Sequence, residues 1–263
     1  MKDKLRPRPP LIAKAATWIA FLMLYIPLVA LVVYSFLKQQ GGEGHVWTLE
    51  WYQKVVSDPL VLGAFNMSLW VGVWSTIGST VLGTTAALAL SRSRFPGHKV
   101  FDAVSHLPLV MPEIVMGLSL LIWFVLLRIT LGAFSIILAH ITFSVSYVMI
   151  IVKARLHGFD ESLIEAAHDL GATSWKTFWK VTFPLILPGI VSGALMAFTL
   201  SFDDFLITFF TAGVGSDTLP LKIYSMIKFG VTPEINALST LMLGATLFLV
   251  MIFFRPAKKE LIV

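Results

Sequence analysis

Glu165-Ala166-Ala167-His168-Asp169-Leu170-Gly171 sits in a polar gap between long apolar runs, and Val181-Thr182-Phe183-Pro184 follows after nine further residues. Alanines flanked by carboxylates and closed by a glycine are the makings of a short helix in a water-facing loop. Asp160 is placed to cap a helix over 161–170, Glu161 suits its positive end, and Gly171 suits its termination. Leu163, Ala166, Ala167 and Leu170 recur at spacings of three and four, so one face is small and apolar. A connector lying on lipid carries larger apolar residues and more Lys or Arg. This small face with acidic flanks, Glu165 and Asp169, suits a protein surface better than anionic lipid, and from its residues alone the loop reads either as a docking element or as an amphipathic connector on the bilayer. A second helix is expected to restart after Thr173 and to run into the next apolar stretch, with Pro184 and Pro188 marking a bend.

The flanking runs make this a membrane protein. Of 263 residues, 57% are hydrophobic and 13% charged, against about 45–50% and about 25% in soluble domains. A span needs about 20 mostly apolar residues to cross about 30 Å of hydrocarbon. Six stretches qualify: 17–37, 65–90, 101–127, 132–152, 186–210 and 236–254. Each must be helical, because lipid offers the backbone no partners. The expected fold is all-α and polytopic. Six transmembrane helices occupy 17–255, between a basic tail at 1–16 and a short tail at 256–263. The first run is too long for the apolar core of a signal peptide and no small-residue cleavage site follows it, so it reads as a retained span. There is no cysteine, which excludes disulfides and thiolate chemistry. No metal set or cofactor motif is evident.

The net charge of +5 reports topology rather than nucleic-acid binding. Fifteen of the 20 Lys and Arg residues fall in the N-terminal tail, loop 91–100, loop 153–185 and the C-terminal tail. The positive-inside rule therefore places both termini and the Glu165–Gly171 loop in the cytoplasm. The outer loops 38–64 and 211–235 have room for short interfacial helices, and Trp47 and Trp51 suit the headgroup zone. Thr232-Pro233-Glu234 reads as a cap, a first-turn proline and an acidic first turn opening the last span.

Carboxylates inside spans are costly. Ser201-Phe202-Asp203-Asp204 falls within the fifth run, and a central Asp costs about 2.5–3.5 kcal/mol on insertion scales. The 13 Leu, Ile, Val and Phe residues of 186–210 return about 0.3–0.6 kcal/mol each, so the pair offsets most of the drive for insertion. Such an expense marks function; the structural alternative is a helix-packing or loop-capping role for the pair, with the span ending early. On a continuous helix Ser201 and Asp204 share one face while Asp203 lies with Thr199 and Ile207, and Asp203 sits about 26 Å from the inner end. Glu113 follows Pro108 and Pro112 in the third run, about 17 Å deep, where a broken helix is expected; a half-helix cap is its structural alternative. Three carboxylates with no intramembrane Lys or Arg form a negative route, which favours a cationic solute. His140, in the fourth run, reads as a hydrogen-bonded packing residue.

The spacing of the loop motif resembles the EAA–x3–G–x9–I–x–L–P signature of ABC-importer permeases, with Val181 for the usual Ile and Phe183 for the usual Leu. The chain also resembles the second permease subunits of spermidine/putrescine importers. That likeness rests on Leu219–Ser225, Gly230–Leu238, Ser201–Asp204, His140-Ile141-Thr142-Phe143 and the Glu165–Ala172 run. It implies a type I (MetI-like) ABC-importer permease fold and a polyamine as solute. Its implied partners are a second homologous permease, two copies of a cytoplasmic ATPase and a periplasmic or lipid-anchored binding protein. Carried onto this sequence, Trp51, Glu113, Ser201, Asp203 and Asp204 become pathway residues, with Glu113 at a position where relatives are expected to carry Asp. Glu165, Ala166, Ala167, Asp169, Leu170 and Gly171 become ATPase-coupling residues. The chain has no G-x-x-x-x-G-K-[ST] phosphate loop, so ATP hydrolysis falls to a separate subunit. Three alternatives are a permease for another small solute, a proton-coupled secondary transporter, and an intramembrane enzyme, for which no H-E-x-x-H or G-x-S-x-G pattern occurs.

Overall fold

The computed structural model describes residues 11–40, 44–92, 96–158, 160, 162–230 and 232–253. Most of the expected basic tail, 1–10, and the whole of the C-terminal tail, 256–263, lie outside them, as does the Glu161 charge. Among the described residues, five helices are long and apolar enough to cross a membrane, and a bent pair makes a sixth when taken as one broken span. Contacts divide the chain into two compact units, Met1–Asp58 with Ser225–Ala245 and Pro59–Tyr224 with Thr246–Val263.

The first unit opens with α1 (Leu11–Tyr34), which starts six residues before the expected span, so 11–16 belong to a helix rather than to the tail. An unexpected hairpin follows, β1 (Leu37–Gln40) antiparallel to β2 (Gly44–Trp47), then the short helix α2 (Glu50–Ser57). Trp51 Nε1–H donates to the Leu37 carbonyl at 3.0 Å, and Ser35 Oγ lies 2.6 Å from Tyr52 OH, so α2 is stitched to the strand and to the end of α1.

The second unit is built around α3 (Pro59–Arg92). The third run is broken into α4 (His98–Ser105), α5 (Leu107–Val110) and α6 (Glu113–Leu126), with a turn of 112° between the two halves. Pro112 supplies the reason. It cannot donate a backbone bond and it pushes Met111 to an extended conformation, ψ 136°. Next come α7 (Ala133–His157), α8 (Ser162–Asp169) and α9 (Ser174–Thr177). One π-helical turn over Phe178–Thr182 leads into α10 (Phe183–Phe202). The wide turn makes room for Pro184, whose ring crowds the carbonyl four residues back in a regular helix. α11 (Leu206–Thr211) also belongs to this unit, α12 (Leu219–Lys228) carries the chain back into the first at Ser225, and α13 (Pro233–Phe253), opening on Pro233 with Glu234 in its first turn, belongs to the first unit as far as Ala245.

Helices α3, α7 and α10 form the core of this unit, where Ala87, Val148, Met149, Val152 and Ala197 are fully buried. Small residues set their separation, as expected where lipid gives no hydrophobic push between helices. A Cβ on Gly78 would meet Ile141 at 2.5 Å, and one on Gly193 would meet Val148 at 3.1 Å. At Gly83 it would fall 2.7 Å from Val148 Cβ and 2.9 Å from the Val145 carbonyl. Gly83→Leu is therefore expected to cost at least about 1–3 kcal/mol, the range for overpacking. It should appear as a lower melting temperature or a lower membrane level of the purified chain. Unchanged melting would contradict this packing. A second cluster joins α6, α7 and α11 through Met116, Phe124, Ala139, Phe143 and Ile207.

Candidate functional site

Two places gather the polar residues singled out in the sequence. The first is the end of the fifth span. The apolar run continues to Phe210, but the helix stops at Phe202 and resumes as α11. This corrects the continuous 186–210 helix, and with it the placement of Asp203 on one helical face with Ile207. Ile207 is fully buried, while Asp203 caps the end of α10, its N–H reaching Thr199 O at 3.2 Å. The cause is local: Asp204 accepts from the backbone N–H groups of Ile207 (3.3 Å) and Thr208 (2.8 Å) and from the Thr208 hydroxyl (2.8 Å). A carboxylate that caps the next helix competes with continuing the previous one.

The two aspartates have different surroundings. Asp204 is buried, 8% exposed, and stands 3.2 Å from His140 Nε2. Asp203 is exposed, and its carboxylate has no hydrogen-bond or ion-pair partner among the described residues. Ser201 is buried, accepts from Ser75 Oγ at 2.9 Å and lies 2.7 Å from His140 Nδ1. His140 is buried and hydrogen-bonded, as expected, and it is the partner of Asp204 that the sequence did not identify. A histidine in an apolar span signals that some partner must exist, because an unpaired buried polar group is costly. With partners 61 and 68 residues away, nothing in the local pattern identifies them.

Glu113 is the first residue of α6, exposed and unpaired among the described residues. It sits where the helix dipole favours a negative charge. One turn further on, Gly117 packs against α11, where a Cβ would meet Phe210 at 2.8 Å and Ile207 Cα at 3.4 Å. Glu113 thus lies on the face of α6 that turns toward the α10–α11 break. Trp51 belongs to the other unit, where its indole N–H is spent on Leu37 and its ring carries Lys54 Nζ at 4.6 Å from the centroid. That contact shows the ring accepting an alkylammonium on its face.

The second place is the loop between α7 and α10. Asp160 Oδ1 accepts from the Ser162 N–H at 3.0 Å, and the hydrogen bonds to Ser162 hold its carboxyl below the ordinary Asp range. At the far end Gly171 is left-handed, φ 78°. Gly171 N–H bonds to His168 O (2.8 Å) and Ala172 N–H to Ala167 O (3.0 Å), the paired bonds of a Schellman end. Thr173 caps α9, its hydroxyl accepting from Lys176 N–H at 3.4 Å. The small apolar face of α8 is open: Leu163 is 46% and Leu170 90% exposed, and Glu165, Ala166 and Asp169 are exposed beside them. Ala167 is half-buried.

Known proteins share this architecture. The model for the binding-protein-dependent transport system inner membrane component matches residues 79–256. The chain is 42% identical to the putrescine transport system permease protein PotI of Escherichia coli K12, over 86% of this chain and 84% of that one. It is 39% identical to the spermidine/putrescine permease protein PotC of Haemophilus influenzae, over 90% and 93%. Among solved structures, a bacterial importer of the acidic polysaccharide alginate superposes with a TM-score of 0.73 at 16% identity, covering 92% of this chain and 94% of that one. The methionine transporter MetNI in an inward-facing form gives 0.62 at 20%, covering 74% and 92%. These structures share the type I, MetI-like permease fold. The chain is a multi-pass membrane protein that belongs to the binding-protein-dependent transport system inner membrane components, the permease subunits of ABC importers.

Proposed function

We propose that this permease passes a polyamine, putrescine or spermidine, or a similar small organic cation into the cytoplasm, driven by ATP hydrolysis on a separate subunit. The observation that carries the reading is Asp203, an exposed carboxylate without a hydrogen-bond or ion-pair partner among the described residues, where the fifth span breaks. A fixed negative charge at membrane depth is relieved by a passing cation and repels an anion. The likeness to putrescine and spermidine/putrescine permeases supports the choice of amine. Glu113 is placed on the same route, Ser201 and Asp204 hold the turn from which Asp203 projects, and the ring of Trp51 offers an ammonium-binding face.

The distribution of Lys and Arg supports both termini and loop 153–185 on the cytoplasmic side. There α8 docks on the ATPase through Glu165, Ala166, Ala167, Asp169, Leu170 and Gly171. The working assembly has a second homologous permease, two ATPase copies and a substrate-binding protein outside. Competition for uptake tests the solute class. In proteoliposomes holding the complete assembly, unlabelled putrescine and spermidine are expected to suppress ATP-driven uptake of labelled putrescine, while methionine and neutral sugars are not. Uptake of a neutral or anionic solute with no uptake of amines would reject the cation reading.

A further inference from the structure

At the break in the fifth span, five polar side chains from α3, α7, α10 and the start of α11 form one buried chain of hydrogen bonds. Ser75 Oγ donates to Ser201 Oγ at 2.9 Å. Ser201 Oγ lies 2.7 Å from His140 Nδ1, and His140 Nε2 lies 3.0 Å from Thr208 Oγ1 and 3.2 Å from Asp204 Oδ2. Thr208 already gives its hydroxyl proton to Asp204 Oδ2, so toward His140 its oxygen accepts from Nε2–H. Ser201, which accepts from Ser75, completes the chain through its contact with His140 Nδ1. Ser75, His140 and Thr208 are fully buried, and Ser201 is 4% exposed.

Hydrogen bonds linked in a chain within a low-dielectric interior reinforce one another. Here they fix a turn. Asp204 caps α11, and His140 ties that cap to α7 and, through Ser201, to the end of α10. Between Ser201 and Asp204 lie Phe202, which is buried, and Asp203, which is exposed. We propose that His140 is a positioning residue for solute passage: it holds Asp204 in the cap, so that Asp203 alone presents its carboxylate to the cation. This rests on the reading of Asp203 as a pathway residue.

A double-mutant cycle in the complete assembly tests it, with labelled putrescine uptake at equal membrane level as the readout. His140→Leu and Asp204→Asn are each expected to lower uptake about tenfold, and the double variant to fall no more than about twofold below the worse single, since both cut one connection. His140→Gln keeps an N–H donor within reach of Asp204 and should recover uptake to within about threefold of wild type. His140→Asn, polar but too short to reach Asp204, should not, and it replaces His140→Leu in the cycle if the leucine variant is missing from the membrane. Additive losses of about a hundredfold, or a glutamine variant no better than asparagine, would overturn the positioning role. Wild-type uptake by Asp203→Asn would instead remove the pathway reading on which it rests, whatever the cycle shows.

Discussion

Gly171→Val is expected to abolish uptake while leaving the chain in the membrane at its normal level. Gly171 holds φ at 78°, where a β-branched residue is an outlier and a left-handed conformation costs about 1–2 kcal/mol. A Cβ there meets nothing within 4 Å, so the penalty is backbone strain in a surface loop and no packed helix is disturbed. The chain escapes the strain by giving up the two bonds that end α8, Gly171 N–H to His168 O and Ala172 N–H to Ala167 O. Leu170, 90% exposed on the preceding residue, then loses its fixed position. If this helix is the lever on which the ATPase pulls, a misplaced anchor residue costs about 2 kcal/mol or more of docking energy, and uptake falls by more than about tenfold. Transport and recovery of the ATPase with a tagged chain should be lost together. Normal uptake by Gly171→Val at equal membrane level would remove α8 from the coupling path.

Asp203→Asn is expected to lower cation uptake about 10- to 100-fold, the equivalent of one charge-assisted contact of about 1.5–3 kcal/mol. The substitution keeps the shape of the side chain. Because Asp203 is exposed and unpaired among the described residues, no cap or ion pair is lost, and membrane level and melting should stay as in wild type. Asp204→Asn differs in kind: it weakens the cap on Ile207 and Thr208 and the contact with His140, so it should lower melting as well as uptake. Asp203→Glu, which keeps the charge, should retain a large part of the activity. Measuring uptake and melting for the three variants separates these cases, and an Asp203→Asn chain with full uptake would show that the exposed carboxylate does not meet the solute.

Much of this was legible in the sequence for physical reasons. Runs of apolar residues long enough to span lipid identify themselves, and Asp160, Thr173 and Gly171 announce helix ends because few residues satisfy those backbone groups. Pro112 foretold a break in the third span, since proline removes a donor and restricts the residue before it, though not a turn as sharp as 112°. The end of the fifth span was harder. Phe205–Phe210 is as apolar as the helix before it, so hydropathy runs straight through. The clue was Asp204 placed to cap the residues three and four positions on, the same chemistry read correctly at Asp160. The hairpin at 37–47 was missed because its short strands lack an alternating pattern. The His140 network was out of reach for a different reason: its partners on α3, α10 and α11 are brought together by helix packing, which one sequence does not encode locally.

The central claim is that this polypeptide is a gate with no motor of its own. Uptake of labelled putrescine into proteoliposomes containing either the purified chain or the complete assembly tests it most directly. The account predicts accumulation above the outside concentration only with the assembly and only with ATP. Uphill accumulation by the chain alone, driven by a pH gradient, would contradict it.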